Sequence, residues 1–341
     1  MPQQVAVITG AGSGIGRATT RLLAEYGFDI ALMGRDVKRL KAAAAELAPS
    51  DVKTLVVPVD VADGEALEAA ADQIEEKLGA ITVWINAAGV SATGPVLSLE
   101  ASAYAQVMRV NYLGAVNGTR AALRVMRRRG EGQIVNIGLA PRLRGLPLQS
   151  ANNGAHAGLN AFCDCVRPEI RALSDRITLT MVNLPWINTP RWTWGRNRSG
   201  HQLKPIGPIY EPEVAAHAIT RAIFSRQRDV TVGASSIIPQ FLSAFLPQLR
   251  DAFHACRGVA RQRGLGKANH PSEASHQDNL EQSVEGAFAA HGPHEARPFR
   301  PRGRKPVLLT HRLRYILGTI VTLALFYAFG YVAPPRFPRK K

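Results

Sequence analysis

Cysteine is scarce: Cys163, Cys165 and Cys256 are the three among 341 residues. That is too few for a disulfide framework and is ordinary for a reducing compartment. Cys163 and Cys165 are two apart and face different sides of a helix, and no second ligand pair lies near them in the sequence. They read as packing residues, and no metal site is expected. The opening stretch, MPQQVAVITG, lacks both a charged segment and a long apolar segment. It runs straight into a strand pattern, so a secretory signal is not expected. Acidic residues are also sparse, 26 against 42 Lys+Arg, for a net charge of +16. From Arg257 onward 15 Lys+Arg face only 5 Asp+Glu, so ten of those sixteen charges belong to the tail. This distribution argues against a nucleic-acid-binding core and for a tail that meets something anionic.

What is present in the first 235 residues is alternation. The apolar runs VAVIT (5–9), FDIALMG (28–34), TLVVPVD (54–60), ITVWIN (81–86), GQIVNI (132–137), ITLTMVN (177–183) and DVTVG (229–233) are separated by helically spaced stretches. Near-continuous Val/Ile runs alternating with helices predict a parallel sheet covered on both faces, a Rossmann-type doubly wound α/β domain over residues 1–235. Residues 236–256 place Phe241, Leu242, Phe245, Leu246, Leu249 and Phe253 on one helical face. Such a helix packs on the domain, covers a site as a lid, or lies on a membrane surface. Residues 257–306 lose periodicity and gain Gly, His, Ser, Pro and Arg, which predicts a disordered basic linker.

One long uncharged run closes the chain. Tyr315 to Pro335 holds 21 residues without a charge, bounded by Arg314 and Arg336. That length predicts a single membrane-spanning helix, and residues 307–341 are read as a membrane anchor with basic flanks. The upstream flank is the more basic, which places the large domain on the cytoplasmic side. The membrane is therefore an expected partner.

After the first apolar run comes TGAGSGIGRA, with Thr9, Gly10, Gly12, Ser13, Gly14, Ile15 and Gly16 forming a loop that opens a helix. Glycines let backbone approach a pyrophosphate seated on a helix N-terminus. The second run ends Met33-Gly34-Arg35-Asp36. Gly34 stands where a carboxylate would take a ribose 2′-hydroxyl, and the guanidinium of Arg35 suits a 2′-phosphate. NADP is therefore the expected cofactor, with NAD less favoured and Asp36 close enough to matter.

Thr9-Gly10-x-x-x-Gly14-Ile15-Gly16, Asp60-Val61, Asn86-Ala87-Ala88-Gly89 and Asn111 together resemble the short-chain dehydrogenase/reductase family, in order and with normal spacing over about residues 4–235. The resemblance implies that Gly10, Gly14 and Gly16 hold the pyrophosphate and that Asp60 and Val61 meet the adenine. It implies further that Asn86, Ala88 and Gly89 wall the cofactor, that Thr189 touches the nicotinamide amide, and that Asn111 is the structural member of the catalytic set. Ala87 departs from the Asn usual at its place.

The same frame exposes three absences. Where the family carries a proton-donating Tyr, a Lys four residues later and a polarising Ser, the chain has Asn152, His156 and Leu139. An amide cannot release a proton near neutral pH, and Leu139 offers no donor. His156 retains a ribose contact but not a permanent charge. General acid catalysis contributes about 10²–10⁴ in rate, so the combined loss is at least of that order. Two readings follow: a membrane-anchored NADP(H)-binding pseudoenzyme with a regulatory or scaffold role, or an atypical NADP-dependent oxidoreductase for an apolar carbonyl or alcohol near the membrane. Tyr104, Tyr112 or His156 would be the substitute acid in the second. The resemblance also implies homodimer formation through the helices at 100–128 and 151–173. After Thr189, the loop interleaves Trp192 and Trp194 with Arg191, Arg196 and Arg198, a pattern suited to anionic, partly apolar ligands or a lipid headgroup layer.

Overall fold

The computed structural model describes residues 4–139, 145–233, 248, 251–252, 254–267, 278–286, 289–296 and 308–310. Seven parallel strands form the central sheet: β1 Val5–Thr9, β2 Asp29–Gly34, β3 Thr54–Pro58, β4 Ile81–Asn86, β5 Gly132–Leu139, β6 Ile177–Leu184 and β7 Asp229–Val232. An antiparallel strand, β8 Leu308–Thr310, pairs with β7, and the sheet order is β8-β7-β6-β5-β4-β1-β2-β3. All five residues of β1 are buried, as expected of a strand with helices on both faces. The direction of winding reverses between β1 and β4, so a crevice opens at their carboxyl ends.

The helices are α1 Gly14–Glu25, α2 Val37–Ala45, α3 Gly64–Leu78, α4 Ala101–Val107, α5 Gly114–Met126, α6 Ser150–Leu173, a single turn α7 Arg191–Trp194, and α8 Pro212–Ser225. A π-helical stretch, Met108–Leu113, joins α4 to α5. Two apolar clusters sit on opposite sheet faces, one around Trp84, Val125 and Leu159, the other around Leu23, Leu40 and Ile219. Local chemistry sets the helix ends. The carboxylates of Asp36 and Asp63 accept from the N–H groups of Arg39 and Ala66, capping α2 and α3. Such caps stabilise a helix by about 1 kcal/mol each. Gly79, at φ +100°, stops α3 in a conformation that a side chain would strain.

The boundaries expected from sequence change in two places. The sheet does not end near residue 235, because β8 adds to its edge and Arg263–Lys267 pairs with His201–Leu203. Residues 257–306 are not a disordered linker throughout: 278–286 and 289–296 pack on the domain, with Leu280 and Ala290 fully buried. Single apolar anchors and backbone hydrogen bonds hold this stretch, and neither leaves a periodic signature. The helix expected over 236–256 lies largely outside the described residues, as does the run Tyr315–Pro335. Among the described residues, no helix is long and apolar enough to cross a membrane.

Candidate active site

The crevice divides into two connected hollows. The first is lined by the glycine loop, Gly34-Arg35-Asp36, Asp60-Val61 and Ala88-Gly89. Gly10 has φ +68°, and a Cβ there would lie 2.8 Å from the Ala88 Cα. At Gly16 a Cβ would collide with the Gly10 carbonyl, so the helix can press against the loop only because both are glycine. The Thr9 hydroxyl accepts from the N–H groups of Ala87 and Ala88 at 3.0 and 3.1 Å, and thus works from beneath the loop. Asp60 accepts from the Ala62 N–H, and Val61 is buried at the wall. The expected set Gly10, Gly12, Ser13, Asp60, Val61, Ala88 and Gly89 is brought together here, while Gly14, Ile15, His156 and Thr189 line the adjoining hollow.

Arg35 lies at the mouth of the first hollow, and Arg39 joins it from the next turn of α2. Asp36 caps α2 and ion-pairs with Arg39 at 3.2 Å, which commits its carboxylate away from the hollow's centre. The Arg39 guanidinium sits 4.6 Å above the Trp194 ring. Burial lowers its pKa, Asp36 opposes that shift and Arg35 adds to it. Arg39 is not among the residues expected at the site; α2 brings it to the hollow beside Arg35.

Asn86 lines the second hollow, and its side chain is also buried in a structural network. The Asn86 amide donates to Asn136 Oδ1 at 2.7 Å and accepts from the Trp84 indole N–H at 2.9 Å. It therefore ties β4 to β5 at the wall of the hollow. Asn111 has a comparable positioning role inside the π-helical stretch. It accepts from the Val90 N–H at 2.8 Å and donates to the Val90 carbonyl at 2.9 Å, clamping the loop that follows Gly89.

The second hollow contains Leu139, His156, Thr189 and Arg191, with Leu159, Leu184, Ile187 and Trp194 as apolar walls. Asn152 does not line it. Its amide, 1% exposed, donates to Ser91 Oγ at 3.2 Å and to the Ala92 carbonyl at 3.1 Å, and its Oδ1 has no partner among the described residues. No sequence signal pointed to Ser91. His156 faces the hollow with its Nδ1 unpartnered among the described residues. Burial, and secondarily the nearby Arg191, push its pKa down to about 4. The imidazole is thus neutral at physiological pH. Arg191 is itself pushed down by burial. The substitute acids fare no better: Tyr104 bonds Ser150 Oγ at 2.7 Å on the exposed side of α6, and Tyr112 packs edge-on against Phe162. Neither lines the hollow.

A family model described as short chain dehydrogenase matches residues 4–198. The chain belongs to the short-chain dehydrogenase family. Among relatives of this family, the dehydrogenase/reductase SDR family member 7B of Xenopus laevis is 30% identical over 273 residues, covering 77% of this chain and 84% of that protein. Among solved members, a short-chain dehydrogenase/reductase from Burkholderia phymatum in complex with NAD superposes with TM-score 0.65 at 22% identity, covering 73% of this chain and 95% of that one. An alcohol dehydrogenase from the archaeon Thermococcus sibiricus, complexed with 5-hydroxy-NADP, gives 0.58 at 24% identity, covering 67% and 96%. These likenesses establish the Rossmann fold.

Within this short-chain dehydrogenase, the loop after β6 keeps most of its aromatics and cations for itself. The Trp186 and Trp192 rings pack 5.3 Å apart at a tilt of 53°, Arg196 pairs with Asp278 at 2.7 Å, and Arg198 pairs with Glu100 at 3.1 Å. Arg191 and Trp194 of that group line the second hollow.

Proposed function

We propose that this protein binds NADP(H) in the crevice, has lost the family's standard proton relay, and serves as a membrane-anchored regulatory or scaffold subunit. The observation that carries this reading is the commitment of Asn152. Its amide is fastened to Ser91 and Ala92, outside the hollow where a proton would be delivered. The neutral His156 and the apolar Leu139 agree with it.

The residues present fit a dinucleotide. The glycine loop leaves room for a pyrophosphate over α1, and Asp60-Val61 border the adenosine end. Arg35 and Arg39 beside that end favour a 2′-phosphate and hence NADP over NAD. Bound there, the nicotinamide would supply hydride chemistry; this chain supplies the cradle without an obvious acid. The apolar run Tyr315–Pro335 supports the membrane anchor, with the domain on the cytoplasmic side. Homodimer formation through α4, α5 and α6 is proposed from family resemblance.

A second reading has its own support. The second hollow combines apolar walls, Leu139, Leu159, Leu184, Ile187 and Trp194, with a few polar groups such as His156, Thr189 and Arg191, as a binding site for an amphiphilic carbonyl or alcohol would. That favours an atypical oxidoreductase. The two separate by measuring NADPH binding as a melting shift, then turnover across lipid aldehydes and ketones. Binding with no turnover, unchanged in Asn152→Ala, supports the pseudoenzyme. Turnover abolished in His156→Ala overturns it.

A further inference from the structure

Residues 278–286 and 289–296 lie across the crevice and use groups that a nucleotide would need. Arg35 donates to the backbone carbonyls of Glu281 at 2.7 Å and Asn279 at 2.9 Å. The Gly14 N–H, at the start of α1, donates to the Ala289 carbonyl at 3.1 Å. Asn279 and Ser283 line the first hollow itself. A carbonyl oxygen thus holds the place of a phosphate oxygen at the helix N-terminus, and two more hold the guanidinium.

The stretch is docked along its described length. Asp278 pairs with Arg196, Leu280 is buried in the core cluster, and Gln106 donates to the Leu280 carbonyl at 3.1 Å. Ala290 is buried between Ala18 and Ala216. The Asn188 amide grips the backbone of His294 from both sides, donating to its carbonyl at 2.7 Å and accepting from its N–H at 3.1 Å. His291 lies 3.1 Å from Glu213. At Gly292 a Cβ would collide with the Thr189 carbonyl, so only glycine lets the strap lie this close.

We propose that the nucleotide crevice is also a peptide groove, occupied in cis by residues 278–296, and that NADP(H) and this strap exclude one another. The proposal rests on the reading that NADP(H) enters this crevice. The Gly14 N–H and the two Arg35 N–H groups that hold strap carbonyls must be given up, or shared at poorer geometry, when a pyrophosphate and a 2′-phosphate take the same space. Cofactor binding then releases the strap and the chain that follows it toward Tyr315. This gives a protein without turnover a way to report NADP(H) as a change in its own tail. The apparent cofactor affinity falls by the fraction of molecules with the strap docked.

The test uses the full chain in detergent micelles. Gly292→Val and Leu280→Asp undock the strap without touching Arg35 or Gly14, and Asp278→Ala loosens it more mildly. NADPH affinity is measured by titration, and strap exposure by cleavage with a Glu-specific protease at Glu281 and Glu285. The expected result is NADPH binding about tenfold tighter in the first two variants, a smaller gain in Asp278→Ala, and faster cleavage of the wild type when NADPH is added. Unchanged or weaker affinity in the variants, or protection of Glu281 and Glu285 by NADPH, overturns the competition. Absence of NADPH binding in wild type and all variants removes the cofactor reading itself, a separate result from binding without coupling.

Discussion

His156 offers the sharpest quantitative check on the proposal that its position carries no permanent charge. Burial, aided by Arg191, holds its pKa near 4, against 6.5 for an ordinary histidine. At pH 7 that leaves about one ring in a thousand protonated. The unfolded chain takes up the proton near pH 6.5 and the folded chain only near 4. Between those values the unfolded state binds more protons, so stability is complete above about pH 6.5 and falls as pH drops toward 4. The shift of two and a half units corresponds to a loss of at most about 3 kcal/mol, of which about 2 kcal/mol is gone by pH 5. The assay is urea unfolding of wild type and His156→Gln at about pH 7.5 and pH 5. The stability difference between the two proteins should change by about 2 kcal/mol, since other titrating groups are common to both. The His156 ring resonance should hold its position down to about pH 5. Parallel pH profiles for the two proteins, or a ring that titrates near 6.5, would refute the reasoning and restore His156 as a candidate cation.

Four further outcomes are expected. Arg191→Gln moves the His156 titration upward, read by the same resonance, because one positive neighbour is removed. Asn152→Ala costs about 1–3 kcal/mol in unfolding free energy by stripping the partners of Ser91 and Ala92, yet leaves NADPH affinity unchanged. Asn86→Ala costs about 2–3 kcal/mol by calorimetry or denaturation, because Trp84 and Asn136 lose a buried partner. Gly10→Ala strains a backbone at φ +68° and presses on Ala88, so it abolishes the NADPH-dependent melting shift and lowers the melting temperature.

Much of the cofactor half could be read from sequence because its requirements are local. A strand, a glycine loop and a helix start are contiguous, and Gly16 is dictated by its contact with the nearby Gly10 carbonyl. Arg35, which follows β2, lines the crevice. Asn86 lines the second hollow as expected, but its buried hydrogen-bond network was not legible, because strand alternation does not reveal which amides a side chain will find. Its partners, Ala115, Thr119 and Asn136, come from other elements. Ser91, Arg39 and Arg191 gained their roles only from the packing of α6, α2 and α7 around one crevice.

The strap marks the same division most plainly. Residues 278–296 have no periodicity, since Leu280 and Ala290 are isolated anchors and the remaining contacts run through backbone. Backbone hydrogen bonding is common to every sequence, so composition could not announce it. The order of residues alone determined the doubly wound sheet and the glycine loop, because each follows from local spacing; the reading of Leu139, Asn152 and His156 as the catalytic positions rests on resemblance. Tertiary structure alone decided that Asn152 is turned toward Ser91, that His156 is neutral, and that Arg35 is held by the chain's own carbonyls. Those outcomes depend on desolvation and on groups brought together from distant parts of the chain.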